Sequence, residues 1–168
     1  MRFQIKLRFS DVCDPDMLLF FPFDEDLNDH SCNRAAATQT SVESVLLTND
    51  AERGTVAFFG GASSLHVGFL YNYFADQFIS EWSVAAWVKR TGDSSAQAGV
   101  VNNGDCIGEP SFDIHVGEGE VSFASVTTDG VTATASTEAA SIMHDDWEHV
   151  DMVYDGSALT MYVNGVAT

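Results

Sequence analysis

The residues best suited to chemistry in this sequence lie in one short acidic segment, residues 24–33. Calcium takes about six to eight hard oxygen ligands, and a loop rich in Asp and Asn can supply several of them. The spacing does not fit an EF-hand, which needs a Gly and a bidentate Glu at fixed offsets. The alternative is that these side chains cap turns as Asx motifs. The side chains that we predict to bind calcium are Asp24, Asp26, Asn28 and Asp29.

A second acidic segment, residues 145–155, contains a His–Asp pair. In an alternating strand, His149 and Asp151 share one face of the sheet. Such a pair could serve catalysis as a base and its orienting carboxylate, or it could be a structural hydrogen bond. Both interpretations are open on the residues alone.

Sequence motifs for hydrolysis are absent. Retaining glycosidases need two carboxyl groups about 5–5.5 Å apart, which on one strand means acids two residues apart. Glu118 and Glu120 have that spacing, but Gly117 and Gly119 indicate a hairpin turn there. No GxSxG, HExxH or Walker sequence is present either. We therefore expect no catalytic residues and no enzyme activity.

The chain is strongly acidic: its 168 residues carry 25 Asp and Glu against 7 Lys and Arg, a formal net charge of −18. Binding to phosphate or sulfate polymers relies on clustered Lys and Arg, so this surface should repel sulfated glycans and anionic membranes, and it excludes nucleic acids as partners. The surface should attract cations, either at a specific site or as a general adaptation to salty surroundings. No apolar run of about 18 residues occurs, so we expect no membrane span.

The elements that must position these residues are short strands separated by Gly and Asp turns. No helical periodicity persists beyond two turns, and the length suits one domain with a real core. The dipeptides Asp155-Gly156 and Asn164-Gly165 predict tight type I′ turns around an alternating strand. We predict strands at 3–9, 17–23, 55–59, 64–67, 82–89, 99–102, 111–116, 120–126 and 131–136, followed by the closing hairpin. This number and spacing of strands indicate an antiparallel sandwich.

Four segments occur in an order that is typical of one family. They are LFFPFD at 19–24, VAFFGG at 56–61, FISEWSVAAWVK at 78–89, and the closing phrase WEHVDMVYDGSALTMYVNG at 147–165. Together they resemble the laminin-G-like and pentraxin-like domains of the concanavalin A-like lectin/glucanase superfamily. Phe59 departs from the pattern, because the family often has Asp there. The chain also stops at Thr168, where family members continue into further strands.

The resemblance implies an all-β, antiparallel two-sheet jelly-roll sandwich of the concanavalin A-like type over residues 17–168, incomplete at its C-terminus, with residues 1–16 as an N-terminal strand or extension. It places Asp24 and Asp29 on the most regular acidic positions of the family, many members of which bind calcium. It also favours a structural role for His149, since related domains have a His there without being hydrolases. The Glu-x-Asp-x-x-Glu strand of the related glucanases does not occur here.

Aromatic and cysteine residues supply the remaining candidates. Tyr71, Tyr73 and Trp82 could form a ligand-binding surface, and burial in the core is the alternative. Trp82 and Trp87 are an odd number of residues apart, so a regular strand directs them to opposite faces. Three cysteines cannot all pair within one chain; we favour a Cys32–Cys106 disulfide, because both lie in loop-like surroundings.

The sequence and the resemblance together predict a non-catalytic adhesion module, extracellular or at the cell surface, within a larger multidomain protein. Its ligand would be a glycan or an extracellular protein, with calcium as a candidate cofactor. Two alternatives are an accessory or degenerate domain of a polysaccharide-active enzyme, and an acidic structural matrix module that binds calcium loosely.

Overall fold

The computed structural model of the protein describes residues 2–6, 14, 16–39, 41–67, 81–92, 98–102, 111–116, 122–128, 131–136 and 144–168. These ranges contain thirteen strands and no helix, and the fold is all-β, as predicted. No helix that could cross a membrane occurs in the described ranges. The strands are β1 Arg2–Lys6, β2 Ala37–Gln39, β3 Leu46–Asp50, β4 Gly54–Phe59, β5 Leu65–Val67, β6 Trp82–Thr91, β7 Ala98–Asn102, β8 Ser111–Val116, β9 Ser122–Thr128, β10 Val131–Ser136, β11 Trp147–Tyr154, β12 Leu159–Val163 and β13 Val166–Ala167.

The chain divides into two compact units, Arg2–Phe69 and Leu70–Thr168. In Arg2–Phe69, β4 pairs antiparallel with β1 on one side and β3 on the other. A separate antiparallel pair joins β2 to β5. Val56 and Ala57 of β4, the central strand of this group, are fully buried.

In Leu70–Thr168, β6, β11, β12 and β13 are successive antiparallel neighbours. A second antiparallel sheet has the order β10-β9-β8-β7. Strand β12 packs against β9 and β10, so the two sheets face each other as in a sandwich. The core side of the first sheet is built by alternate residues of its strands, including Val88, Val150, Met152 and Met161, each at most 1% exposed. This arrangement confirms the predicted sandwich architecture.

Two details of the prediction are wrong. The apolar run 17–23 lies outside any strand, because Pro22 has no amide hydrogen and Phe23 has a positive φ of 57°. Phe23 is nevertheless buried, and the centroid of its ring lies 5.8 Å from that of Phe21 and 6.4 Å from that of Phe59. Aromatic packing of this kind offsets the cost of the left-handed backbone.

The turn after β11 also differs from the prediction. Tyr154 pairs with Leu159, so the loop has four residues, 155–158, and only Gly156 has positive φ. The Asp155 carboxylate stabilises it by accepting hydrogen bonds from the amides of Ser157 and Ala158. In the next turn, Val163 pairs with Val166 and both intervening residues have positive φ, which confirms the predicted type I′ turn at Asn164-Gly165.

Candidate functional site

The acidic segment is organised around a buried carboxylate. Asp29 is 2% exposed, and both of its carboxylate oxygens accept hydrogen bonds. Its Oδ1 accepts from the amides of Phe20 at 2.8 Å and Ser31 at 2.9 Å. Its Oδ2 accepts from the Ser31 hydroxyl at 2.8 Å and the Ala35 amide at 2.7 Å. Four donors on one carboxylate fix the course of the chain from residue 20 to residue 35.

Asp26 forms a second, more exposed cluster in the same loop. Its Oδ1 accepts from the Asn28 amide at 3.0 Å and contacts Nε2 of His30 at 2.9 Å. Its Oδ2 accepts from the side-chain amide of Asn28. The backbone hydrogen bond from Asn28 is the largest cause that lowers the pKa of Asp26, and the contact with His30 lowers it further, while desolvation opposes both.

The structure thus brings together Asp26 and Asn28, but it commits the Asp29 carboxylate to backbone and hydroxyl donors. Asp24 is exposed at the start of the loop. In the part of the chain that the structure describes, no three His, Cys, Asp or Glu side chains converge to hold a metal ion. Calcium binding by Asp24, Asp26, Asn28 and Asp29 therefore stays a prediction.

The second set of functional groups lies on the sheet formed by β6, β11 and β12. The predicted His–Asp pair is present: Nδ1 of His149 is 3.0 Å from Oδ2 of Asp151. The ring of Trp87, which is opposite His149 in the register, lies 4.9 Å from the His149 ring. On the other side, Tyr162 of β12 is opposite Asp151. Two aromatic side chains and one His–Asp pair therefore occupy adjacent positions on three neighbouring strands.

These four side chains lie on the face of the sheet away from the buried core residues. Each is half-buried, and each alternates along its strand with residues that are more deeply buried. Trp87 lies between Ala86 and Val88, which are 4% and 0% exposed, and Tyr162 lies between Met161 and Val163, which are 0% and 8% exposed. Because neighbours in a strand point to opposite faces, the polar and aromatic set faces away from that core.

One buried acid belongs to the core side of this sheet. Glu148 is 7% exposed, and its carboxylate accepts a hydrogen bond from the side-chain amide of Asn164. The side-chain carbonyl oxygen of Asn164 in turn accepts from the His149 amide at 3.0 Å. Glu148 is thus held by the turn that follows β12. In the sequence, only the alternation with Val150 indicated that this acid points inward.

The other predicted site residues have varied positions. Trp82 lies at the start of β6, with its ring 5.8 Å from that of Tyr154, and alternation places it opposite the Trp87 face. Tyr71 and Tyr73 lie outside the described residues, so their ligand-binding role stays a prediction. Cys32 is disulfide-bonded, while Cys106, its predicted partner, lies outside the described residues.

Trp87 and Tyr162 were not among the predicted ligand-binding residues. The signal that could have found them is the register of the closing hairpin, because the turn residues fix which side chains lie opposite Asp151. The odd number of residues between Trp82 and Trp87 already indicated that the two side chains point to opposite faces of the sheet. It did not indicate which of the two points into the core.

Comparisons with known proteins agree with this architecture. The model of the family Laminin_G_3, described as concanavalin A-like lectin/glucanases superfamily, matches residues 59–168, which is more than half of the chain. Searches of curated proteins and of solved structures gave no match. The matched range includes β6 to β13, the strands that carry Trp87, His149 and Asp151. The chain therefore belongs to the Laminin_G_3 family of the concanavalin A-like lectin/glucanase superfamily.

Proposed function

We propose that this chain is a non-catalytic, extracellular module whose task is to bind a glycan or an extracellular protein. The observation that carries the proposal is family membership over residues 59–168, because laminin-G-like domains are carbohydrate- or protein-binding modules. The half-buried aromatic and polar side chains on β6, β11 and β12 supply a surface suited to that task. The proposal does not depend on calcium.

The extracellular location is supported by the disulfide at Cys32. Disulfides persist in oxidising compartments and are rare in the cytosol. The net charge of −18 disfavours sulfated glycans, phospholipid headgroups and nucleic acids as ligands. A neutral glycan or a protein with a neutral or basic surface fits this charge.

The non-catalytic part of the proposal rests on the residues that are present. Retaining glycosidases place two carboxyl groups about 5–5.5 Å apart across the scissile bond. The acid of the β6–β11–β12 face, Asp151, is instead paired with His149, and the neighbouring acid, Glu148, is buried on the opposite face. Because one points outward and the other inward, these two acids do not converge on one substrate.

The test is a binding screen combined with a turnover assay on the same protein. The purified chain is immobilised and exposed to neutral oligosaccharides, sulfated oligosaccharides and purified matrix proteins, and each oligosaccharide is then analysed for cleavage products. The proposal expects saturable binding to at least one neutral glycan or matrix protein, with every oligosaccharide left intact. Cleavage of any oligosaccharide, or no binding to any member of the panel, would overturn it.

A further inference from the structure

One surface of the molecule combines aromatic rings with hydrogen-bond acceptors in a regular geometry. It consists of Trp87, His149, Asp151 and Tyr162, and is called here the aromatic–acid patch. The four residues form two adjacent rows: Trp87 is opposite His149, and Asp151 is opposite Tyr162. Since strands lie about 4.8 Å apart and alternate residues about 7 Å apart, the patch measures about 10 Å by 7 Å. That area suits a disaccharide unit.

We propose that the aromatic–acid patch is a binding site for a neutral glycan, with Trp87 and Tyr162 contacting sugar rings and Asp151 and His149 accepting hydrogen bonds from sugar hydroxyls. This inference rests on the proposed function and names its site and its ligand class. It differs from that function in specifying which side chains make the contacts.

The aromatic rings fit the apolar side of a sugar. The faces of Trp and Tyr rings carry partial negative charge, which attracts the polarised C–H groups on the flat side of a pyranose. Trp87 and Tyr162 are half-buried and are separated by β11, so the rings border the patch on two sides. A ring that only filled the core would be expected on the opposite face of the sheet, together with Val88 and Met161.

The polar pair fits the hydroxyl groups. The side chains of His149 and Asp151 are 30% and 23% exposed, so both are accessible but ordered by their mutual contact at 3.0 Å. A carboxylate can only accept, so in the neutral imidazole Nδ1 carries the hydrogen and donates it to Asp151. The other ring nitrogen, Nε2, is then an acceptor, and the Asp151 carboxylate supplies acceptor oxygens of its own. The pair therefore offers acceptors of both types to the hydroxyl donors of a sugar.

Charge selects against anionic sugars. The patch contributes a carboxylate and the whole chain carries −18, so a uronate, sulfate or sialate group would be repelled. Lys89 lies on the same face, one row beyond Trp87, where it pairs with Trp147 in the register. Its ammonium is 6.0 Å from the centroid of the Trp147 ring. A neutral hexose or N-acetylhexosamine chain therefore fits better than an acidic one.

The test uses intrinsic tryptophan fluorescence and calorimetric titration of the full chain with cellotetraose, mannotetraose and chitotetraose. A heparin tetrasaccharide and tetralysine are titrated in parallel as anionic and cationic ligands. The proposal expects saturable binding of at least one neutral tetrasaccharide and none of the heparin fragment. The substitutions Tyr162→Ala and Asp151→Asn should each lower the affinity for that tetrasaccharide about tenfold or more.

The chain provides a matched control for the His–Asp pair. Nδ1 of His115 lies 2.7 Å from Oδ2 of Asp113 on β8, with side chains that are 23% and 39% exposed. Asp113→Asn removes the same kind of carboxylate from the other sheet and should change the affinity less than about twofold. Thermal melts of all variants verify that each is folded, and Asp151→Asn keeps the size of the side chain.

Several results would overturn the proposal. They are equal loss of affinity in Asp113→Asn and Asp151→Asn, unchanged affinity in both patch variants, and tighter binding of tetralysine than of any neutral sugar. Failure of every neutral tetrasaccharide at about 10 mM also overturns it. If a matrix protein still binds in the panel described above, the proposed function stands and only this site assignment fails.

Discussion

Asn164 donates its side-chain amide to the buried carboxylate of Glu148, and so connects the turn after β12 to the start of β11. The same side chain accepts from the His149 amide at 3.0 Å, and the Asn164 backbone amide donates to the His149 carbonyl at 2.8 Å. One residue therefore satisfies a buried acid and two backbone groups of its neighbour on β11. Its φ of 51° is a conformation that Asn tolerates better than most residues.

This relationship predicts the effect of two substitutions at Asn164. Asn164→Gly keeps the backbone conformation but removes the amide from Glu148, and should lower the free energy of unfolding by about 1–3 kcal/mol. Asn164→Ala should cost about 1–2 kcal/mol more, because Ala is disfavoured at positive φ. Urea unfolding followed by circular dichroism measures both. In a double-mutant cycle with Glu148→Gln, strict additivity would show that the two side chains do not interact.

Asp29 gives a second prediction about stability. Asp29→Ala leaves the amides of Phe20, Ser31 and Ala35 without their acceptor in a buried environment, and should lower the free energy of unfolding by about 3 kcal/mol or more. Glu25→Gln, an exposed change in the same loop, should alter it by less than about 0.5 kcal/mol. Equal urea midpoints for the two variants would contradict the structural role assigned to Asp29.

The pH dependence of stability follows from two carboxylates. Amides of Ala158 and Ser157 lower the pKa of Asp155, and the Asn28 amide is the main cause that lowers the pKa of Asp26. As the pH falls, the unfolded chain takes up these two protons before the folded chain does. The stabilisation by the two ionised carboxylates is therefore present above the ordinary Asp pKa of 3.8, and it is lost as the pH falls through their lower folded pKa values. We expect the free energy of unfolding to fall below about pH 4 on this account.

The measurement is a series of urea unfolding curves from about pH 6 to about pH 3. Neutralisation of the net charge of −18 acts in the opposite direction, so the informative quantity is the difference between wild type and Asp155→Asn. That difference should shrink as the pH falls. The exposed Asp146→Asn serves as the control, and an identical pH profile for both variants would contradict the assignment.

Calcium binding by the acidic loop is tested by thermal melts in EDTA, calcium and magnesium. The prediction requires a saturable rise of the midpoint with calcium and little rise with magnesium. The double variant Asp24→Asn and Asp26→Asn should abolish that rise, while Asp29 is unsuitable as a test because its substitution also removes backbone hydrogen bonds. An equal response to both cations would show that the loop has only turn-forming and solubility roles.

The sequence predicted the fold class because alternation and turn chemistry are local signals. In β11, the pattern of Val150, Met152 and Tyr154 was sufficient to assign the buried face, and the structure confirms it. Strands β2 and β3 were not predicted, since three residues in β2 and the polar Thr48-Asn49-Asp50 in β3 carry little apolar alternation. Their formation depends on pairing with β5 and β4, which a local pattern does not reveal.

The candidate site was harder to predict for the same reason. Asp residues spaced as in 24–29 are compatible with a cation site and with Asx turns alike. What decides the use of the Asp29 carboxylate is the Phe20 amide, nine residues away, and the Ala35 amide, six residues away. No composition or spacing rule encodes those contacts. Trp87 likewise becomes part of a patch only through its register with His149.

The Asn164-Gly165 turn has one more consequence, which concerns the ageing of the protein. In an Asn-Gly sequence, the glycine nitrogen can attack the asparagine side-chain carbonyl and expel ammonia, which forms a cyclic succinimide. Water then opens this ring and leaves a carboxylate in place of the amide. Here that side chain is engaged by Glu148 and by the His149 amide, which restrains it from the approach that the attack requires. Deamidation at this position therefore proceeds mainly when the β12–β13 hairpin opens. The carboxylate that it creates beside Glu148 would repel that buried acid. A chain that has deamidated at Asn164 therefore opens this hairpin more readily, and the covalent change is permanent.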